Sequence, residues 1–334
     1  MTDAMTVGKE TAPAALGLGD GTRHLIHCPP SWDHYLLDAP SLAEEHFVLA
    51  GELPTAHPLF NDGPGHFHDL QITTESVREI GEFVGHRYFG VPEDRPGLFY
   101  RFTLDLTELS AWRTGTATSR MTTHIRATPA NVVNGVPRGL DFHVEVKIDD
   151  TPCARGTAGL VFLMPILHRK HLAYMRQAVR AVPEMEDAPD TPPRPVAAAE
   201  VGRAAAANVV VSEPSGDPGR LSTWVLTQRT DPVFAGTDGQ LSGLHLLEAC
   251  RQTSLLAAGR RSYGHGLNPA RSTLAAFEVH FRGHAERDLP LRCVAVPGPL
   301  GHDAHGRPAV PVTLTVTQRR RAVAEARTVV VQDF

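Results

Sequence analysis

His57-Pro-Leu-Phe-Asn-Asp-Gly-Pro-Gly-His-Phe-His-Asp-Leu-Gln-Ile-Thr-Thr-Glu-Ser-Val-Arg-Glu-Ile-Gly-Glu-Phe-Val-Gly-His-Arg-Tyr-Phe-Gly90 reads as a loop that feeds a helix. Asn61, Asp62, Gly63, Pro64 and Gly65 are turn formers. From Leu70 onward Ile72, Val77, Ile80, Phe83 and Val84 recur at the three-and-four spacing of a buried helical stripe. Glu75 and Arg78 lie three apart and share a face. A second stretch, Asp231-Pro-Val-Phe-Ala-Gly-Thr-Asp-Gly-Gln-Leu-Ser-Gly-Leu-His-Leu-Leu-Glu-Ala-Cys-Arg-Gln-Thr-Ser-Leu-Leu256, repeats the plan, and Glu248 and Arg251 repeat the pair.

Around these two stretches the chain falls into matching halves. Residues 1–23 are small, polar and without periodicity, which reads as a disordered tail. The first half covers 24–182. After its helix come the alternating runs Leu98–Leu106, Met121–Ala127, Leu140–Ile148 and Cys153–Leu163, with Asp149-Asp150 as a hairpin turn and a connecting helix from His168 to Val182. Residues 183–195, rich in proline and acids, form a linker. The second half, 196–334, has an apolar lead-in from Leu221, a helix from Gly243 to Arg260, and runs at Leu274–Phe281, Leu291–Val296, Val310–Val316 and Ala322–Val331. One long apolar helix followed by an antiparallel meander is what a sheet wrapped around a central helix requires. The expected fold is therefore α+β, a tandem double hotdog whose halves pair as a pseudo-dimer within one chain, each covering the other's open edge.

Composition narrows the function. The 334 residues carry a formal net charge of −5, which excludes a basic nucleic-acid binder. No charged start followed by an apolar run opens the chain, and no apolar segment reaches bilayer length. The four cysteines, Cys28, Cys153, Cys250 and Cys293, stand singly, which fits a reducing cytoplasm and neither a disulfide framework nor a zinc site. No phosphate-cradling glycine loop, dinucleotide fingerprint or serine elbow occurs in a supporting context, so no cofactor is expected. Cys250 lies between Glu248 and Arg251, but its counterpart in the first half is Val77, and it reads as packing.

An intrahelical Glu–Arg pair is commonplace, worth only about half a kcal/mol. Burying a carboxylate, however, costs several kcal/mol unless it is paired, and apolar packing could replace such a pair. Keeping it in both halves points to a task, which makes Glu75, Arg78, Glu248 and Arg251 the candidate catalytic residues. The loops offer His57, Asp62, His66, His68 and Asp238 for binding substrate. His66-Phe-His68-Asp69 lacks a second ligand cluster, so it reads as solvated polar side chains and no metal is expected.

With Phe60-Asn-Asp-Gly-Pro-Gly-His-Phe-His-Asp69, Glu75-Ser-Val-Arg78, His86-Arg-Tyr-Phe-Gly-Val-Pro92 and Glu248-Ala-Cys-Arg-Gln252, the chain resembles the A-factor synthase (AfsA) family of two hotdog repeats. Where that family has Asp-His-Val-Pro-Gly before the second helix, this chain has Asp238-Gly-Gln-Leu-Ser-Gly243. The resemblance implies an acyltransferase that moves a 3-oxoacyl group from acyl carrier protein to the hydroxyl of dihydroxyacetone phosphate, toward a gamma-butyrolactone signal. A carboxylate in an apolar cleft would take the hydroxyl proton, and Arg78 or Arg251 would hold either the phosphate or the carboxylate. By the same resemblance the loop with His57, His66 and His68 would complete a site with Glu248 and Arg251, and the loop with Asp238 would face Glu75 and Arg78. That places the chemistry at Glu248. A hotdog dehydratase or thioesterase, or a non-catalytic ligand-binding relative, are the alternatives.

Overall fold

A computed structural model describes residues 43–53, 57–60, 62–63, 66–115, 118–183, 191–228, 232–236, 239–260 and 266–334. The expected tail, the turn residues Asn61, Pro64 and Gly65, most of the linker, and Cys28, Asp231 and Asp238 lie outside the described residues. The chain forms two compact units. One joins residues up to His57 with Leu70–Arg169; the other joins Pro58–Asp69 with Lys170–Phe334.

In the first unit, strand β1 (Glu45–Glu52) precedes helix α1 (Gln71–Phe89), and β2 (Gly97–Leu106), β3 (Arg120–Ala130), β4 (Gly139–Ile148) and β5 (Thr151–Phe162) follow. The expected order of one helix and then strands therefore needs correcting. Glu45–Glu52 alternates too weakly to announce a strand, yet it pairs antiparallel with β3 along its whole length. The sheet runs β1-β3-β4-β5-β2, antiparallel throughout. β4 alternates buried and outward residues, as a strand with one face on a core must. That core is Ile72, Val77, Ile80, Phe83 and Val84 from α1 against Phe102, Leu104, Phe142, Val144 and Leu160 from the sheet. The helix lies close on the strands because it turns two glycines of its own toward them. A side chain at Gly81 would stand 2.7 Å from the Phe99 ring, and one at Gly85 would overlap Phe162. Gly90 ends α1 in the left-handed region at φ 67°. Asp149 and Asp150 form the β4–β5 turn at φ 47° and 64°.

Helix α2 (Pro165–Arg180) links the units and starts three residues before the expected His168. The second unit repeats the plan of the first. Strands β6 (Ser215–Asp217) and β7 (Arg220–Val225) precede helix α3 (Gly243–Gly259). Then come β8 (Ser272–Phe281), β9 (Leu291–Pro297), the short β10 (Gly301–His302), β11 (Pro308–Gln318) and β12 (Arg321–Gln332). Its strands pair antiparallel in the order β8-β12-β11-β9-β7-β6. Register shifts at Val316/Thr317 and Val329/Val330 increase the local twist, which lets the sheet curve around α3. Ser242 caps α3 by accepting from the His245 amide at 3.2 Å. From Leu244 to Ala258 every residue of α3 is buried. Such a helix is enclosed on all sides, so each polar group it carries needs a partner inside the protein. Among the described residues no helix is long and apolar enough to cross a membrane.

Candidate active site

On α3 the partners of Glu248 are fully accounted for. Arg251, one turn on, donates Nε to Oε2 at 2.9 Å and Nη2 to Oε1 at 2.8 Å. Arg203 meets the carboxylate from outside the helix, Nε to Oε1 at 2.9 Å and Nη2 to Oε2 at 2.8 Å. Gln252 donates its amide to Oε1 at 2.5 Å, and its carbonyl accepts from the Val210 amide at 2.9 Å. Glu248 has no exposed surface. Burial by itself would raise its pKa, but the two guanidiniums and their hydrogen bonds outweigh that and hold the carboxyl well below the usual range. Among the described residues the hydrogen bonds to this carboxylate come from arginine and glutamine side chains.

The loop Pro58–Asp69 is tied to the same centre through Arg203, whose Nη1 donates to Asp69 Oδ2 at 2.7 Å and to the Leu59 carbonyl at 2.6 Å. Burial works to lower the pKa of Arg203, and the charges of Asp69 and Glu248 overcome it. Asp62 accepts from the Ala205 amide at 2.9 Å and from Asn208 Nδ2 at 2.7 Å. Its carboxylate thus clasps the loop to residues 204–208. His66 is exposed, whereas His57 and His68 are buried. Arg251 also reaches the Val201 carbonyl at 2.9 Å, so its guanidinium faces the protein interior.

The matching centre on α1 is built differently. Arg78 Nε donates to Glu75 Oε2 at 2.8 Å, while Glu75 Oε1 is buried and has no hydrogen-bond partner among the described residues. The position of Gln252 is held here by Glu79, which cannot donate as Gln252 does unless it carries a proton. Glu79 lies 8% exposed, and its Oε2 is also without a partner. Burial pushes its pKa up to about 9, with Arg78 opposing and Glu75 adding to the shift. The Arg78 side chain keeps 47% of its surface exposed, against 9% for Arg251. One centre is closed and saturated; the other retains an unpartnered carboxylate oxygen beside a guanidinium that water can reach.

Neither Cys250 nor Cys153 offers a competing nucleophile. Cys250 is wholly buried, and its hydrogen bond with Cys293 and its burial raise its pKa well above the ordinary thiol value. Cys153 is pushed up to about 12 by burial. Among the described residues no three His, Cys, Asp or Glu side chains stand together as a metal-binding group.

A-factor biosynthesis hotdog domains match this chain twice, over residues 22–164 and 185–331. The chain belongs to the AfsA family. Each AfsA segment contains one Glu-x-x-Arg helix, so the two centres described above are the two family repeats, and the fold is a tandem hotdog. Among its relatives, the 2-oxo-3-(phosphooxy)propyl 3-oxoalkanoate synthase of Streptomyces coelicolor is 26% identical over 303 residues, spanning 89% of this chain and 87% of the relative. The enzyme of the same name from Streptomyces griseus is 27% identical over 243 residues, 70% of this chain and 74% of its own. Of solved structures, a conserved hot dog fold protein from Alicyclobacillus acidocaldarius aligns over 91% of this chain and 95% of its own, at 14% identity and a TM-score of 0.46.

Arg203 was not among the residues the sequence marked. It sits in Ala-Ala-Ala-Glu-Val-Gly-Arg-Ala-Ala-Ala-Ala-Asn, far along the chain from both carboxylates it binds. The available signal was chemical. Arg203 and Asn208 are the only long polar side chains between Val201 and Val211, and a segment that small and apolar is bound for the interior.

Proposed function

We propose that this AfsA-family protein is an acyltransferase that esterifies a hydroxyl of dihydroxyacetone phosphate with a 3-oxoacyl group carried as a thioester on acyl carrier protein. The observation that carries this reading is the near full-length likeness to a synthase whose name describes that ester. The product serves as the phosphorylated precursor of a gamma-butyrolactone-type signal, made in the cytoplasm.

An alcohol is a weak nucleophile at neutral pH, so a base must take its proton as its oxygen attacks the thioester carbonyl. Glu75 is the candidate. Its Oε1 is unpartnered, and Arg78 holds Oε2 so that the free oxygen is presented in a fixed direction. As the tetrahedral intermediate collapses, the C–S bond breaks, the carbonyl reforms, and the proton passes to the departing thiolate. Arg78, half exposed, has donors left for the phosphate of the acceptor.

Glu248 and Arg251, where the sequence reading placed the chemistry, suit a structural task better. A carboxylate that accepts five hydrogen bonds from two arginines and a glutamine has little basicity and no open oxygen. The test is incubation with a 3-oxoacyl carrier protein and dihydroxyacetone phosphate, read by mass spectrometry. The phosphorylated ester is the expected product. Free 3-oxo acid would indicate a thioesterase, loss of water from a 3-hydroxyacyl donor would indicate a dehydratase, and no reaction would leave a binding protein.

A further inference from the structure

Among the described α-helices α2 is the least covered. Of its 16 residues only Val179 is buried. Ile166 and Leu167 in its first turn are 52% and 48% exposed, and Tyr174 is 64% exposed. Ile166, Lys170 and Tyr174 follow at four-residue spacing and so form one face. The helix carries Arg169, Lys170, Arg176 and Arg180 and no acidic residue, in a chain whose formal net charge is −5. Arg176 and Arg180 are held by Glu286 and Asp288 at 2.8 and 2.6 Å, whereas among the described residues no carboxylate pairs with Lys170.

A second observation comes from the turn between β11 and β12. Arg319 and Arg320 sit there at φ 45° and 65°, in the left-handed region that suits Gly, Asn and Asp. The matching turn of the first unit uses Asp149 and Asp150. Left-handed backbone disfavours an ordinary side chain by about 1–2 kcal/mol, so two arginines at this turn are better explained by their charge than by turn preference. Arg319 Nη1 donates to the carbonyls of Arg180 and Val182 at 3.1 and 3.3 Å, which fixes the turn against the end of α2. The cations of Arg319–Arg321 thereby extend those of the helix.

We propose that α2 and the Arg319–Arg321 turn form the docking surface for an acidic protein, the carrier protein that presents the acyl thioester. The proposal rests on that thioester being the acyl donor. Cations interleaved with exposed apolar side chains along one helix fit an acidic helical face that has apolar residues of its own; attraction between the two speeds encounter, and apolar contact holds it.

The test uses the full chain and the double variant Lys170→Glu, Arg320→Asp. Both positions are on the surface, and Asp is what the first unit carries at that turn position. Two donors are compared, a 3-oxooctanoyl group on an acidic bacterial acyl carrier protein and the same acyl group on N-acetylcysteamine. KM for the carrier-bound donor should rise about tenfold or more in the variant, with kcat unchanged and the small thioester used as before. Salt should raise KM for the carrier in the wild type and much less in the variant. An unchanged KM for the carrier overturns the proposal. If the wild type makes no ester from either donor, the proposed activity fails, and fluorescence anisotropy of the labelled holo carrier protein still decides the surface: weaker binding by the variant supports it, equal binding overturns it. Sedimentation with phosphatidylglycerol vesicles is the third arm. Vesicle binding that the variant loses, with carrier binding unchanged, overturns the proposal in favour of a membrane surface.

Discussion

Arg203 grips both carboxylate oxygens of Glu248, Nε at 2.9 Å and Nη2 at 2.8 Å, although 45 residues separate them in the chain. Both are buried, and the same guanidinium holds Asp69 from the loop Pro58–Asp69. Removing Arg203 leaves two carboxylates without their shared cation, and breaking a buried pair in this way costs about 3–5 kcal/mol. Arg203→Ala should lower the urea midpoint accordingly. Arg203→Lys should recover only part of the loss, because an ammonium cannot fork onto both oxygens. A midpoint unchanged by Arg203→Ala would show that the network does not stabilise the fold.

Acid should unfold the protein partly through Glu248. Its folded pKa is lowered, so the unfolded chain binds the proton more readily. The resulting stability is present above the unfolded carboxylate pKa, about 4.3, and is lost as the pH falls toward the folded value. Thermal melts of the wild type from pH 7 downward should drop steeply below about pH 5. Glu248→Gln, less stable at pH 7, should drop less over the same range. Parallel curves would remove Glu248 from the acid response.

Glu79 works with the opposite sign. Its folded pKa is raised to about 9, so the folded state holds a proton that the unfolded state releases, and stability declines as the pH rises from the ordinary carboxylate value toward 9. Glu79→Gln removes that dependence and supplies the amide that Gln252 uses in the second unit. An unsatisfied buried polar group costs about 1–3 kcal/mol, so Glu79→Gln should raise Tm at pH 8 by several degrees and flatten its fall with pH. A lower Tm for Glu79→Gln at pH 8 would contradict the assignment.

Cys250→Ala should leave ester formation intact, because the thiol is wholly buried and held far from ionisation. Intact-mass analysis during turnover should find no acyl adduct on this residue. A trapped thioester at Cys250 would contradict direct transfer to the acceptor.

Much of the fold was legible because buried helices and one-sided strands leave strong periods. Ile72 to Val84 marked α1, Asp149-Asp150 marked a turn, and the strand runs from Leu98 to Val331 fell where strands form. β1 was missed because Glu45–Glu52 mixes apolar and polar residues without clear alternation. The Glu-x-x-Arg pairs were legible as well, but the difference in their surroundings was not. That difference depends on Arg203, whose approach to Glu248 is set by the fold, and on Glu79 standing where the other repeat has Gln252. Helix position shows which residues share a face, and it says nothing of which oxygen remains without a partner.

The central claim is that acyl transfer takes place at Glu75. Ester formation by Glu75→Gln, measured by mass spectrometry beside the wild type with Tm as the control for folding, tests it most directly. Loss of a general base lowers the rate by about 10²–10⁴, so the wild type should yield the phosphorylated 3-oxoacyl ester, and Glu75→Gln should fall by that factor with Tm little changed. Ester formation by Glu75→Gln at the wild-type rate would contradict the account.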